Sequence, residues 1–439
     1  MRVAAAGCYS INHPGEEAEI AAAAASLRAL SPRIEITIFS QNTRQVSQLP
    51  GVRAVNRWNP FAVLYTLIKS DLVFSCGRDS LKDTEGMGSL ISHLLTIFTA
   101  RLIGKPVVCY AQGVGPLNSY WGRRLVRFVG DRFDLITVRN QASKDRLLKI
   151  GVERPPIVVT ADPVFSLSPA QFDKEVGHSL MAQIRSEASD EGDKPPFEPI
   201  ARAEEGKITI SVPVDIAGTG EGETEAKGEA EGEPKGEKKP LLGIVLQELE
   251  GDCEYKRAIA SAADKLVREG WEILLLPFKH PADIQICQEV SWIMQESSLQ
   301  YREKPTLEQL FCLFGEVDLL LGMRLPALIM ASLMRRPCIG IALNEKIDKF
   351  LEMTEQPKAV NLEDLDADNL YELITSTYKD KKEIATHIDQ VLIQLRQQSW
   401  ESAGLSLSFF YSRFPHKRLD TPRTAGWGER HKAGRTIHR

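Results

Sequence analysis

Short runs of Val, Ile and Leu alternate with helix-length segments twice along this chain, once before residue 167 and again after residue 240. In the first stretch, residues 3–6, 34–39, 72–75, 106–111, 135–138 and 157–160 read as strands, with an alanine-rich helix over 16–30 and an apolar helix ending near 103. In the second, strands are expected at 241–246, 271–277, 317–321 and 338–342, with helices at 254–269, 282–294, 307–314 and 326–334. Strands this apolar are buried on both faces, and strands that alternate with helices form parallel sheets. The expected fold class is α/β, with two Rossmann-like doubly wound domains.

Between the two stretches the pattern breaks down. Residues 219–239 are dominated by Gly, Glu, Lys and Ala without one aromatic ring, and cannot bury enough surface to offset their ordering entropy. The expected division is an N-terminal domain at 1–167, a linker or insertion at 168–240 that is disordered over 219–239, and a C-terminal domain at 241–375. A helical segment at 376–410 and a basic disordered tail at 411–439 follow. From residue 413 that tail holds eight Lys and Arg against two acids.

Composition narrows the function classes. With 54 basic and 59 acidic residues the net charge is −5, so no nucleic-acid partner is expected. The seven cysteines include no C-x-x-C pair, which points away from a disulfide framework or zinc ribbon and towards a reducing cytoplasm. No secretory signal is expected at the N-terminus. Residues 91–103 are apolar, but their length and Arg101 indicate a buried helix and not a membrane span.

Two doubly wound domains place a ligand cleft at the carboxyl ends of their strands. The loops expected there carry distinctive residues. The first runs from Gly7 to Glu17, where glycines before a helix start can present N–H groups to a phosphate, while Glu16 and Glu17 equally suit the dipole of the helix N-terminus. Arg78 follows one strand, Gln112 and Gly113 another, and Arg139 a third. In the second half, Lys279, His280 and Asp283 follow one strand, and Arg324 stands at a strand-to-helix junction suited to clamping an anion. His280 and Asp283 are too few ligands for a metal site, so none is expected.

At these loops the chain resembles the polysaccharide pyruvyl transferases, specifically the CsaB branch. The motifs are Lys105-Pro106-Val107-Val108-Cys109-Tyr110-Ala111-Gln112-Gly113-Val114-Gly115-Pro116, Asp134-Leu135-Ile136-Thr137-Val138-Arg139 and Val159-Thr160-Ala161-Asp162-Pro163. Leu320-Leu321-Gly322-Met323-Arg324-Leu325 and Ala327-Leu328-Ile329 add a C-terminal match, and the likeness covers about two thirds of the chain. It implies a glycosyltransferase-B-like arrangement of the two domains. It also implies transfer of a pyruvyl group from phosphoenolpyruvate to a sugar of a cell-wall polysaccharide or its lipid-linked precursor, giving a ketal. No cofactor beyond that donor is implied, and a lipid-linked acceptor would bring the protein to the inner face of the membrane.

Several positions depart from the family pattern. The first loop reads Ile11-Asn12-His13-Pro14-Gly15-Glu16-Glu17 where the family carries Gly-Asn-x-Gly-Asp-Glu. A glycine run is broken to Cys76-Gly77-Arg78-Asp79, Gln247 stands for an arginine, and the family's Arg-Leu-His reads Arg324-Leu325-Pro326. Proline offers neither an imidazole nor an N–H, although it suits a first helical turn. The expected catalytic residues are therefore His280 and Glu17, with Arg324, Leu325, Arg139, Gln112, Gly113, Gly15 and Arg78 binding substrate. Two other readings stay open: a catalytically inactive relative that binds a ligand or regulates a partner, and a nucleotide-sugar glycosyltransferase.

Overall fold

A computed structural model of the chain describes residues 1–9, 13–77, 81–84, 86–190, 239–249, 254–343, 345–357 and 360–415. Apart from Lys239, the insertion expected at 219–239 lies outside the described residues, as does the expected basic tail beyond residue 415.

The first sheet contains β1 (Arg2–Tyr9), β2 (Glu35–Ser40), β3 (Val52–Asn56), β4 (Leu72–Ser75), β5 (Val107–Gln112), β6 (Leu135–Val138) and β7 (Ile157–Val159). Its order is β3-β2-β1-β4-β5-β6-β7, and all neighbours are parallel. The helices between these strands are α1 (Pro14–Leu30), α2 (Thr43–Val46), α3 (Pro60–Lys69), α4 (Met87–Leu102), α5 (Tyr120–Gly130) and α6 (Gln141–Lys149). Alternate strand residues face two different cores, as period-two geometry requires. Ala4, Ala6, Val73 and Cys109 pack under α3, α4 and α5, whereas Val3, Ala5, Phe74 and Tyr110 pack under α1.

After the first sheet comes α7 (Lys174–Asp190), a helix inside the stretch expected as linker at 168–240. Its apolar residues are sparse, yet Met181 and Ile184 are buried in the core of the second domain. Arg185 anchors it through a forked pair with Glu272, Nη2 lying 2.7 Å from the carboxylate. Tertiary packing, not helical periodicity, holds this element.

The second sheet contains β8 (Leu241–Val245), β9 (Glu272–Leu275), β10 (Leu299–Gln300), β11 (Leu319–Gly322), β12 (Cys338–Ala342) and β13 (Val360–Asn361). Its order is β10-β9-β8-β11-β12-β13, again parallel throughout. The connecting helices are α8 (Glu254–Arg268), α9 (Ile284–Ile293), α10 (Leu307–Glu316), α11 (Leu325–Leu333) and α12 (Glu345–Met353). They are followed by α13 (Ala367–Lys379) and α14 (Lys381–Arg413).

The 33-residue α14 ties the halves together. Its stripe of Ile384, Ile388, Leu392 and Leu395 joins the second domain's core, while Ala403, Leu407 and Phe410 join the first domain's core. Between them Ser399, Ser402 and Ser406 are buried, small enough for close approach and each satisfied. Ser399 donates to the Pro163 carbonyl, Ser402 meets Thr160 Oγ1 at 2.7 Å, and Ser406 donates back to Ser402 O. No helix among the described residues is long and apolar enough to cross a membrane.

Candidate functional site

The carboxyl ends of both sheets converge where the N-terminus of α1 meets the N-terminus of α11. Pro14 fits the first helical position because its fixed φ suits the helix and its missing N–H is not needed there. His13, extended at φ −130°, caps the helix by accepting the Gly15 N–H at Nδ1, 3.2 Å away. The same imidazole lies edge-on against Phe278, centroids 5.7 Å apart, across the two domains. Phe278 is fully buried and begins the loop that carries Lys279 and His280. On the other side, a Cβ on Gly15 would lie 2.9 Å from Pro326 Cβ and 3.0 Å from its Cγ. Only the absence of a side chain lets the two helix ends come this close.

Arg324 occupies the N-cap of α11, and its guanidinium is engaged by Asp283. Nε donates to Asp283 Oδ2 at 2.8 Å and Nη2 donates to Oδ1. The carboxylate, 1% exposed, also accepts the Lys279 N–H at 2.7 Å. This bidentate fork fixes the guanidinium plane and the start of the Lys279–His280 loop together. Nη1 donates to no partner among the described residues. Asp283 balances the guanidinium charge and leaves Nη1 facing away from the fork.

Glu17 sits one turn into α1. Burial pushes its carboxyl above the usual range, and the positive charge of Lys304 pulls it partly back. Lys304 and Lys279 are exposed, and His280 is half-buried beside Lys279. Gly15 and Arg324-Leu325-Pro326 thus flank the contact between α1 and α11, where His13 also meets Phe278; Glu17 feels the charge of Lys304, and His280 follows Lys279 in the loop that Asp283 pins.

Arg139 and Gln112-Gly113 stand at the carboxyl ends of β6 and β5. Arg139 is 12% exposed, its Nη1 lying 3.4 Å from both Glu19 and Asp162. Two carboxylates around one guanidinium give it a fastening role, tying the ends of β6 and β7 to α1. Gln112, expected to touch substrate, is fully buried, and the reason is a kink. Ala111 has a left-handed φ of 43° with its N–H held by Thr137 Oγ1 at 2.7 Å, and the β5–β6 register shifts there. Gln112 therefore turns inward beside Cys109, its Oε1 accepting from Ser75 at 2.8 Å and from the Cys109 thiol at 2.9 Å. Ser75 also meets His93 Nε2 at 2.9 Å. Burial, with Arg57's charge adding to it, lowers the His93 pKa to about 4, so this imidazole is neutral. Gly113 is buried in the following turn, and Arg78 lies outside the described residues.

Sequence reasoning had His13 and Asp283 in cleft loops but not their roles, because a cap-plus-stacking contact and a pairing across 41 positions leave no local pattern. Among the described residues no group of three or more His, Cys, Asp or Glu is placed to hold a metal ion.

Two parallel-sheet α/β domains facing each other across such a junction define a glycosyltransferase-B-like protein, and solved structures agree. The UDP-GlcNAc 2-epimerase from Neisseria meningitidis, bound to UDP-GlcNAc, superposes with a TM-score of 0.56 at 11% identity, covering 94% of this chain and 100% of that one. A second UDP-N-acetylglucosamine 2-epimerase gives 0.58 at 12% identity over 96% and 98%. Anabaena HepE in complex with UDP-glucose gives 0.54 at 11% over 94% and 100%. At such identities the likeness establishes the fold alone. No curated protein matches the chain. The family model described as polysaccharide pyruvyl transferase matches residues 14–345, and the chain belongs to that family.

Proposed function

We propose that the chain transfers a pyruvyl group from phosphoenolpyruvate to a sugar of a cell-wall polysaccharide or its lipid-linked precursor, as a CsaB-like member of its family. The observation that supports this reading is the meeting of α1 and α11, beside which stand Glu17, its carboxyl pKa raised by burial, Arg324 at the start of α11, and the loop of Lys279 and His280 that begins at Phe278 against His13.

The chemistry asks for those groups. The methylene carbon of phosphoenolpyruvate takes a proton, which leaves an oxocarbenium-like centre that one sugar hydroxyl attacks. The C–O bond to phosphate then breaks, a second hydroxyl adds, and two hydroxyl protons have replaced the one consumed and the one carried off with phosphate. Glu17, whose carboxyl pKa is raised above the usual range by burial, serves as the acid, and His280 serves as the base for the sugar hydroxyl. Lys279, Lys304 and Arg324 Nη1 hold the donor's phosphate and carboxylate, and Leu325 lines the donor pocket.

A second reading has its own observation. Pro326 replaces the family's His, and Asp283 neutralises Arg324, as in a relative that keeps a ligand site without turnover. Phosphate release from phosphoenolpyruvate, measured with a panel of free, nucleotide-linked and lipid-linked glycans, separates the two. The transferase reading expects acceptor-dependent release and a product heavier by one pyruvate less one water. Binding of phosphoenolpyruvate without release on any acceptor would favour the silent relative.

A further inference from the structure

The helices on the α3–α4–α5 face of the first sheet bury Leu67, Leu94, Ile97 and Val126 beneath them, yet their outward sides are not polar. Phe61 is 84% exposed, Leu102 70%, Trp121 67%, Tyr65 63% and Leu95 60%. These positions belong to one continuous layer. Phe98 of α4 lies 5.6 Å from Phe128 of α5, and Arg57, just before α3, donates to Ser92 of α4 at 3.1 Å. Lys105, just after α4, donates to the Ile68 and Ser70 carbonyls at the end of α3. An apolar surface of this extent on a folded domain marks a contact site.

Its charge says what it contacts. None of α3, α4 and α5 contains an Asp or Glu, although the whole chain has more acids than bases. The cations interleave with the rings: Arg57 lies 5.0 Å from Trp58, Lys69 5.7 Å from Tyr65, Arg124 5.5 Å from Tyr120 and Arg132 3.6 Å from Phe128. Two bordering carboxylates are turned to backbone amides, Asp83 accepting from Asn118 and Ser119 and Asp131 accepting from Glu153.

We infer that this face docks on the surface of an anionic lipid bilayer. Trp and Tyr rings suit the headgroup level, Phe and Leu side chains reach the acyl boundary, and Arg and Lys meet lipid phosphates. A second copy of the chain fits poorly, because a two-fold contact would set three helices that carry Arg and Lys but no Asp or Glu against themselves. Tyr120 and Trp121 begin α5 just beyond the carboxyl end of β5, on the side of the interdomain cleft. Docking through them brings the cleft mouth beside the lipid surface. The inference goes beyond the proposed reaction and does not depend on which donor the cleft holds.

Co-sedimentation of the full-length chain with vesicles tests it, using phosphatidylcholine alone or with about one quarter phosphatidylglycerol. The expected result is binding to the anionic vesicles that weakens with salt and is much reduced on phosphatidylcholine alone. The doubles Phe61→Ser/Trp121→Ser and Lys69→Gln/Arg124→Gln should each bind about tenfold more weakly. All four residues are exposed, so unchanged thermal melting is expected and checks folding. Failure of the wild type to bind anionic vesicles would overturn the inference, as would unchanged binding by both doubles. A concentration-dependent dimer abolished by Phe61→Ser/Trp121→Ser, with no vesicle binding, would assign the face to a second copy instead.

Discussion

Gly15 and Pro326 touch across the two domains with no room for a side chain on residue 15, a Cβ there falling 2.9 Å from the proline ring. The ring cannot rotate away, so the helix ends of α1 and α11 must separate if anything is added. Gly15→Ala should therefore cost about 1–3 kcal/mol, the usual range for overpacking. Pro326→Gly in the same chain removes both the Cβ at 2.9 Å and the Cγ at 3.0 Å, so adding Gly15→Ala to it should cost much less than adding it to the wild type. Denaturant unfolding of the single and double variants gives the coupling, and additive costs would show that the two residues do not meet.

The Arg324–Asp283 fork makes a second prediction. Removing either partner strands a buried charge, so Arg324→Ala and Asp283→Ala should each destabilise the fold by about 3–5 kcal/mol. The double Arg324→Met/Asp283→Leu should be closer to wild type than either single. Equal loss in the double would mean that the two side chains act independently. A loss of ligand binding in Arg324→Ala would by itself be ambiguous, whereas Arg324→Lys keeps a cation beside Asp283 and removes the planar fork.

Glu17 predicts a pH dependence of definite sign. Its folded pKa lies above the ordinary 4.5, so the folded protein holds that proton more tightly and stability falls as pH rises through the interval above 4.5. Glu17→Gln should melt higher than wild type at neutral pH, and the gain should vanish as pH drops to 4.5. Thermal melts of both proteins across that range check this. A gain independent of pH would mean that Glu17 is not desolvated.

His93 predicts a slope that adds to the usual acid loss. Held neutral with a pKa of about 4 against an ordinary 6.5, it makes unfolding take up a proton between those values, so stability declines as pH falls from 6.5 towards 4. His93→Gln should flatten that part of the profile, while weakening the contact to Ser75. Identical wild-type and variant profiles over this window would place the proton elsewhere.

The central strands were legible because Leu72–Ser75, Val107–Gln112 and Leu319–Gly322 are buried along their whole length and so read as unbroken apolar runs. The edge strand Val52–Asn56 and the two-residue strands Leu299–Gln300 and Val360–Asn361 were not, since partial exposure and short length leave no pattern. α7 was hidden by sparse apolar content and is held by packing against the second domain. At the site, chain order after each strand put Gly15 and Arg324 at the two helix starts that meet. It did not show the surroundings of Gln112, which the irregularity at Ala111 turns inward, nor those of Arg139, whose two carboxylates come from distant segments.

Calorimetric titration of phosphoenolpyruvate into the full-length protein tests the central claim most directly, with Arg324→Lys and Lys279→Ala alongside. Saturable binding by the wild type, about tenfold weaker in each variant while each still melts cooperatively as a folded protein, is the predicted result. A folded wild type that takes up no phosphoenolpyruvate would contradict the assignment of the donor to the cleft between α1 and α11.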